Sequence, residues 1–187
     1  MTSSTDTNPE HGELHGAAKK EAFHLAAEAM VHSFKLERPA VELEPGRKLH
    51  IKLAGTDSCR AQVQVLKKGG ENNLHYHPNM DLIYMVMKGR IKFYGPGDKV
   101  IGDFGPNEGM LLPENSRYWF ESVGEEEAWL MQIAGFPKGI SAYKRVAIEA
   151  PKHADGGDGA WFNPATGELV SDAEEKEREK REFAQQG

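Results

Sequence analysis

Cysteine is almost absent from this chain. The single thiol, Cys59, excludes an intrachain disulfide framework, and as a free cysteine it is expected to be a small buried strand residue. Long apolar runs are missing too: none approaches the roughly 18 residues needed to cross a bilayer. The opening MTSSTDTNPE is polar, without a charged-then-apolar leader pattern. Positive charge is outweighed, with 23 Lys and Arg against 29 Asp and Glu and a net charge of −6. That balance argues against nucleic acid or an anionic membrane as the main partner. No glycine-rich loop opens a helix to cradle phosphate, and Gly95-Pro96-Gly97 reads as a turn. No G-x-S-x-G nucleophile elbow occurs, and no internal repeat. The expectation is a soluble, cytoplasmic protein of 187 residues with one domain and appendages.

What is present is β-sequence. Short segments with strand character recur at intervals of about 8–12 residues, from Lys48–Ala54 through to Tyr143–Ile148. Gly, Pro and Asp punctuate them, as in Gly69-Gly70, Gly95-Pro96-Gly97-Asp98 and Gly105-Pro106-Asn107. Such spacing indicates a sandwich or a small barrel. Residues 1–44 are expected to be a disordered N-terminus and one helix, about Glu13 to Phe34. Residues 45–148 make the β-barrel, and 149–187 a linker and charged C-terminal extension. Within that extension Ser171 and Glu174 form a capping-box pattern. The following EEKEREKRE run reads as a solvated helix or a frayed tail.

The chemistry concentrates in Gly70 to Gly89, GENNLHYHPNMDLIYMVMKG. On a strand, His75 and His77 share a face, about 7 Å apart. Asp81 follows four residues after the second histidine. Two histidines and one carboxylate with open positions suit non-haem Fe(II), and other divalent metals less often. The same pair can equally be structural.

The order Gly70, His75, His77, Asp81, Gly89 resembles the first motif of the cupin superfamily, G-x5-H-x-H-x3,4-E-x6-G. Gly109-Met110-Leu111-Leu112-Pro113-Glu114-Asn115-Ser116-Arg117-Tyr118 resembles the second, G-x5-P-x-G-x2-H-x3-N. The departures are specific. Counting forward from His77 puts Asp81 in the usual Glu place, and counting back from Gly89 puts Leu82 there; one bulged residue would reconcile the counts. Tyr118 stands where the second motif carries histidine, and Asn115 takes the turn glycine.

The resemblance implies an all-β, cupin-like antiparallel barrel or jelly roll. It implies a metal site of His75, His77, Asp81 and Tyr118, with Tyr118 also the candidate catalytic residue. Divalent Fe(II) is the metal that fits an oxygenase acting on a small aromatic or carbonyl compound. Zn, Mn or Ni would suit a lyase or isomerase. A non-enzymatic, small-molecule-binding cupin is the alternative, because the second-motif histidine is missing. Ile83, Tyr84, Met85, Met87, Phe93, Leu112, Phe120, Trp129 and Met131 offer the apolar bulk to line a pocket. Arg60, Arg90 or Arg117 can hold a substrate carboxylate, or lie on the surface. Exposed sheet edges and apolar anchors in both flanks predict a homodimer.

Overall fold

The computed structural model describes residues 9–68, 73–139, 145–150, 152 and 159–185. The chain forms two units, residues 1–33 and 34–187. The first carries helix α1, Pro9–Glu28, which starts and stops earlier than its sequence pattern suggests. Its last turns tighten, with Met30 N–H bonding Ala27 O at 3.1 Å, before the β-branched Val31.

The second unit is the barrel, antiparallel except where its last hairpin joins, as in a jelly roll. In chain order its strands are β1 Lys48–Gly55, β2 Cys59–Leu66, β3 His75–Tyr76, β4 Asp81–Lys88, β5 Ile91–Tyr94 and β6 Val100–Phe104. They continue as β7 Gly109–Leu112, β8 Trp119–Ser122, β9 Ala128–Gly135, β10 Val146–Ala147, β11 Ala160–Asn163 and β12 Glu168–Ser171. Helix α2, Asp172–Gln185, closes the chain. A seven-stranded sheet runs β12-β11-β1-β2-β9-β4-β7, facing a three-stranded sheet β6-β5-β8, with β10-β3 as a small third pair.

Alternation sorts the side chains. Leu82, Tyr84 and Val86 of β4, Leu66 of β2 and Leu130 of β9 turn inward. They meet Ile91, Phe93 and Phe120 from the facing sheet, and this is the main core. The opposite face of β1 and β2 carries Leu49, Ile51, Val63 and Val65. A strap, residues 34–47, covers that face through Leu36 and Leu43. A two-point bond from Arg38 to Glu127, at 2.7 and 3.1 Å, ties the strap down. The strap therefore belongs to the barrel unit and not to the N-terminal segment.

The C-terminal extension is the larger departure. β11 pairs in parallel with β1, placing Trp161 opposite His50, and β12 pairs back on β11. The capping box forms, with Ser171 N–H donating to Glu174 at 2.8 Å and Glu174 N–H to Ser171 Oγ at 3.3 Å. Helix α2 is not simply solvated. Glu175 is buried and pairs with Lys52 and with Arg178, the latter at 3.1 Å. Glu179 pairs with Arg60 at 3.0 Å, and burial still pushes its carboxyl up to about 7. Cys59 is the first residue of β2 and is exposed, not buried.

Candidate functional site

The site grows from one backbone contact. β3 is too short to bury His75 on its own. The N–H of His75 bonds the Tyr118 carbonyl at 3.1 Å, and the Tyr118 N–H returns to His75 at 3.0 Å. This two-way bridge puts the second-motif position directly opposite the first-motif histidine. The turn between is set by Asn115, at φ 64, whose N–H bonds His77 O at 2.8 Å. A left-handed conformation there suits asparagine, the residue standing in for the motif glycine.

His75 is buried, and its Nδ1–H donates to the Asn73 carbonyl at 2.7 Å. The carbonyl can only accept, so this bond fixes the tautomer and leaves Nε2 as a lone pair. The ring sits 5.2 Å from His77 and 4.5 Å from Tyr118, centroid to centroid. Burial, with the charge of Arg145 beside it, holds His75 well below the ordinary histidine value, so it is neutral at pH 7. The Tyr118 hydroxyl meets that of Tyr84 at 3.0 Å. Burial pushes both phenols up, and Tyr118 is therefore no phenolate. Gln64 completes the polar floor: its Nε2 donates to Gln132 at 2.6 Å, and its Oε1 is buried without a hydrogen-bond partner.

Asp81 is not brought to this cluster. It lies on the outward face of β4 and accepts the Glu114 N–H at 2.8 Å. The bulge invoked to reconcile the two counts exists, between Val86 and Lys88, but beyond the site. It therefore cannot turn Asp81 inward, and Leu82 fills the interior place of the acid. Of the four expected metal donors the structure gathers His75, His77 and Tyr118 only. Among the described residues no three His, Cys, Asp or Glu side chains are grouped as a metal would need. His75 is neutral and the two phenols are un-ionised, so among the described residues the cluster of His75, His77 and Tyr118 has no carboxylate to complete the expected donor set.

Strand alternation also corrects the lining. Tyr84, Phe93, Leu112 and Phe120 face the core, whereas Ile83 and Met87 are exposed. Trp129 and Met131 pack in the second cluster, on the other face of β9. Arg60 and Arg90 are engaged by Glu179 and Asp103. The arginine beside the site is Arg145, which bonds the Asn73 side-chain oxygen. No motif marks it; only the pairing of Val146 with Tyr76 brings it to the histidine strand.

The Tyr84–Tyr118 pair gives a direct prediction. Tyr118→Phe leaves the Tyr84 hydroxyl buried without that partner and should cost about 1–3 kcal/mol. Removing both hydroxyls, with Tyr84→Phe as well, should recover most of that loss. Urea unfolding of the three variants measures it. A double variant as unstable as the sum of the singles would show that the hydroxyls do not act as a pair.

Solved structures similar to this chain include a cupin superfamily protein from Desulfitobacterium hafniense, at 17% identity and TM-score 0.46, covering 57% of this chain and 98% of that one. KdgF from a Halomonas species matches at 18% identity and TM-score 0.47, covering 57% and 96%. An RmlC-like cupin from Desulfovibrio desulfuricans matches at 23% identity and TM-score 0.46, covering 56% and 96%. No protein-family model matches the chain, and no curated protein matches it in sequence. The strand order makes the second unit an all-β, jelly-roll-like barrel of mainly antiparallel sheets.

Proposed function

We propose that the barrel binds a small molecule at the His75–Tyr84–Tyr118 cluster, without a resident metal. The observation that carries this reading is Leu82, buried where the motif acid would be, with Asp81 turned outward. A cluster of buried polar side chains is costly in an apolar barrel unless something uses it. Here the Nε2 lone pair of His75, the tyrosine hydroxyls and the unmet Oε1 of Gln64 are buried donors and acceptors. Phe93 and Phe120 supply apolar wall.

Metal-dependent dioxygenase chemistry is the second reading. One observation favours it: the Nδ1–H bond of His75 to a backbone carbonyl is the outer bond that orients metal-bound histidines. Elemental analysis separates the two. The protein, after reconstitution with Fe(II), Mn(II), Ni(II) or Zn(II) and desalting, should retain far less than one metal per chain. One metal per chain, lost in both His75→Ala and His77→Ala, would overturn the metal-free reading and put the oxygenase first.

A further inference from the structure

Asn73 lies two residues before His75, is buried, and is bonded at three of its polar groups. Its backbone carbonyl accepts the His75 Nδ1–H at 2.7 Å. Its side-chain Nδ2 donates to the Glu149 carbonyl at 2.6 Å, and its Oδ1 accepts from the Arg145 guanidinium. Both side-chain partners come from one short segment, the one that carries β10. That segment also pairs Val146 with Tyr76 and Ala147 with His75, and its Ile148 N–H bonds the Leu74 carbonyl at 2.9 Å. Every residue from Asn73 to Tyr76 is therefore tied to it. Moving the Asn73 carbonyl away from Nδ1 means breaking those bonds.

A carbonyl can only accept, so the neutral ring keeps its hydrogen on Nδ1 and its lone pair on Nε2. His75 is thus held as an acceptor. Tyr118 is its neighbour, with ring centroids 4.5 Å apart. In the Tyr84–Tyr118 pair one hydroxyl donates and the other accepts, and the accepting one keeps a hydrogen of its own. A ligand hydroxyl answers both groups, because it donates and accepts; a carbonyl or ether oxygen can only accept, and leaves Nε2 with nothing. Aromatic wall adjoins the phenols: Phe120 lies nearly parallel to Tyr118 at 6.4 Å, and Phe93 is tilted against Tyr84 at 5.4 Å.

We infer that Asn73 and Arg145 are positioning residues that lock His75 as a hydrogen-bond acceptor, and that the ligand is a neutral alcohol or phenol whose hydroxyl donates to His75 Nε2. This rests on the reading of the barrel as a small-molecule site and adds the class of ligand. A purely structural role for the two residues would change stability and leave the tautomer of the ring alone. A positioning role moves the tautomer.

The test is NMR of the full chain with nitrogen-labelled histidine, the His75 signals being assigned by their loss in His75→Gln. Proton–nitrogen spectra of the ring should show Nδ1 protonated and Nε2 bare. Asn73→Ala and Arg145→Gln should each admit the opposite tautomer, and Arg145→Lys, which can still donate to Asn73, should restore the first. Arg145→Gln decides where Asn73→Ala does not fold. The opposite tautomer in the wild-type chain, or one tautomer unchanged in every variant, would overturn the positioning role. Ligand class is read on the wild-type chain alone, by titration with phenol and, separately, with anisole. The two probes share the ring and differ in the hydroxyl hydrogen. Phenol should bind about tenfold tighter, the worth of one hydrogen bond, and should shift the Nε2 signal. Equal affinities would overturn the hydroxyl donor and leave the small-molecule reading standing. Failure of both probes to shift the His75 signals would overturn both.

Discussion

Gly109→Ala should destabilise the barrel by upwards of about 3 kcal/mol, at or beyond the top of the usual range for overpacking. A Cβ built at this position falls on the Tyr84 carbonyl oxygen and comes within 2.9 Å of Met85 Cα. Both are backbone atoms of β4, so no rotamer change can make room. β7 must therefore part from β4, and the pairs Met85–Gly109 and Tyr84–Met110 go with it. Tyr84 carries half of the buried hydroxyl pair, so the damage reaches the site. Gly135→Ala is the control: a Cβ there has no neighbour within 4 Å, and the change should stay within about 0.5 kcal/mol. Urea unfolding of both variants measures the difference. Equal stability in the two would mean that the close approach at β7 is not what requires glycine.

The same contact explains why the motif glycines were legible. Gly89 has φ 76, and a Cβ there would sit 2.9 Å from Ala128. It needs both the left-handed backbone and the missing side chain. Gly109 needs only the second. These are local demands, and local demands leave marks in a sequence. The ten segments from Lys48 to Ile148 were visible for a similar reason: alternation and turn residues act over a few positions. β11 and β12 left a weaker mark. Each has four residues, Pro164 interrupts the hairpin, and β11 is held by a parallel partner more than a hundred residues earlier. Nothing near Trp161 announces that pairing.

The site divides along the same line. The shared strand face of His75 and His77 needs only their spacing. The place of Asp81 turned on one residue of register, and a one-residue shift moves a side chain to the other face of a sheet. The bulge that spacing suggested lies at Met87, after the site, so inference from counts alone ran the wrong way. Arg145 reaches the histidine strand only through the pairing of the next residue, Val146, with Tyr76, and it belongs to no motif. A charge placed by tertiary pairing leaves no pattern to read. Hydrophobic periodicity likewise cannot tell which face of β9 holds Trp129, because both faces of that strand are covered.

Acid should unfold this protein through a histidine, starting near pH 6.5. His50 is buried on the inward face of β1, stacked on Trp161 with ring centroids 4.2 Å apart. Burial lowers its pKa from 6.5 to about 3, and the nearby Lys48 charge pushes the same way while Asp172 opposes. Between those two values the folded chain keeps His50 neutral while the unfolded chain protonates it. The unfolded state then binds more protons, so stability falls as pH falls, by about 1.4 kcal/mol per pH unit for one group. Its full contribution is present above pH 6.5 and is lost by about pH 3. Across that window the loss reaches about 4–5 kcal/mol, a large part of a typical domain's stability. Asp172 adds to acid sensitivity at the lower end, since its carboxyl is held below the ordinary value of 3.8. His50→Phe keeps a ring against Trp161 and cannot take up the proton. Urea unfolding of both proteins at pH 7.5, 6, 5 and 4 should show a shallower fall for the variant, by about one proton per chain. Parallel curves would mean that His50 stays neutral in the unfolded chain or is already protonated in the fold, and either result would remove it as the acid trigger.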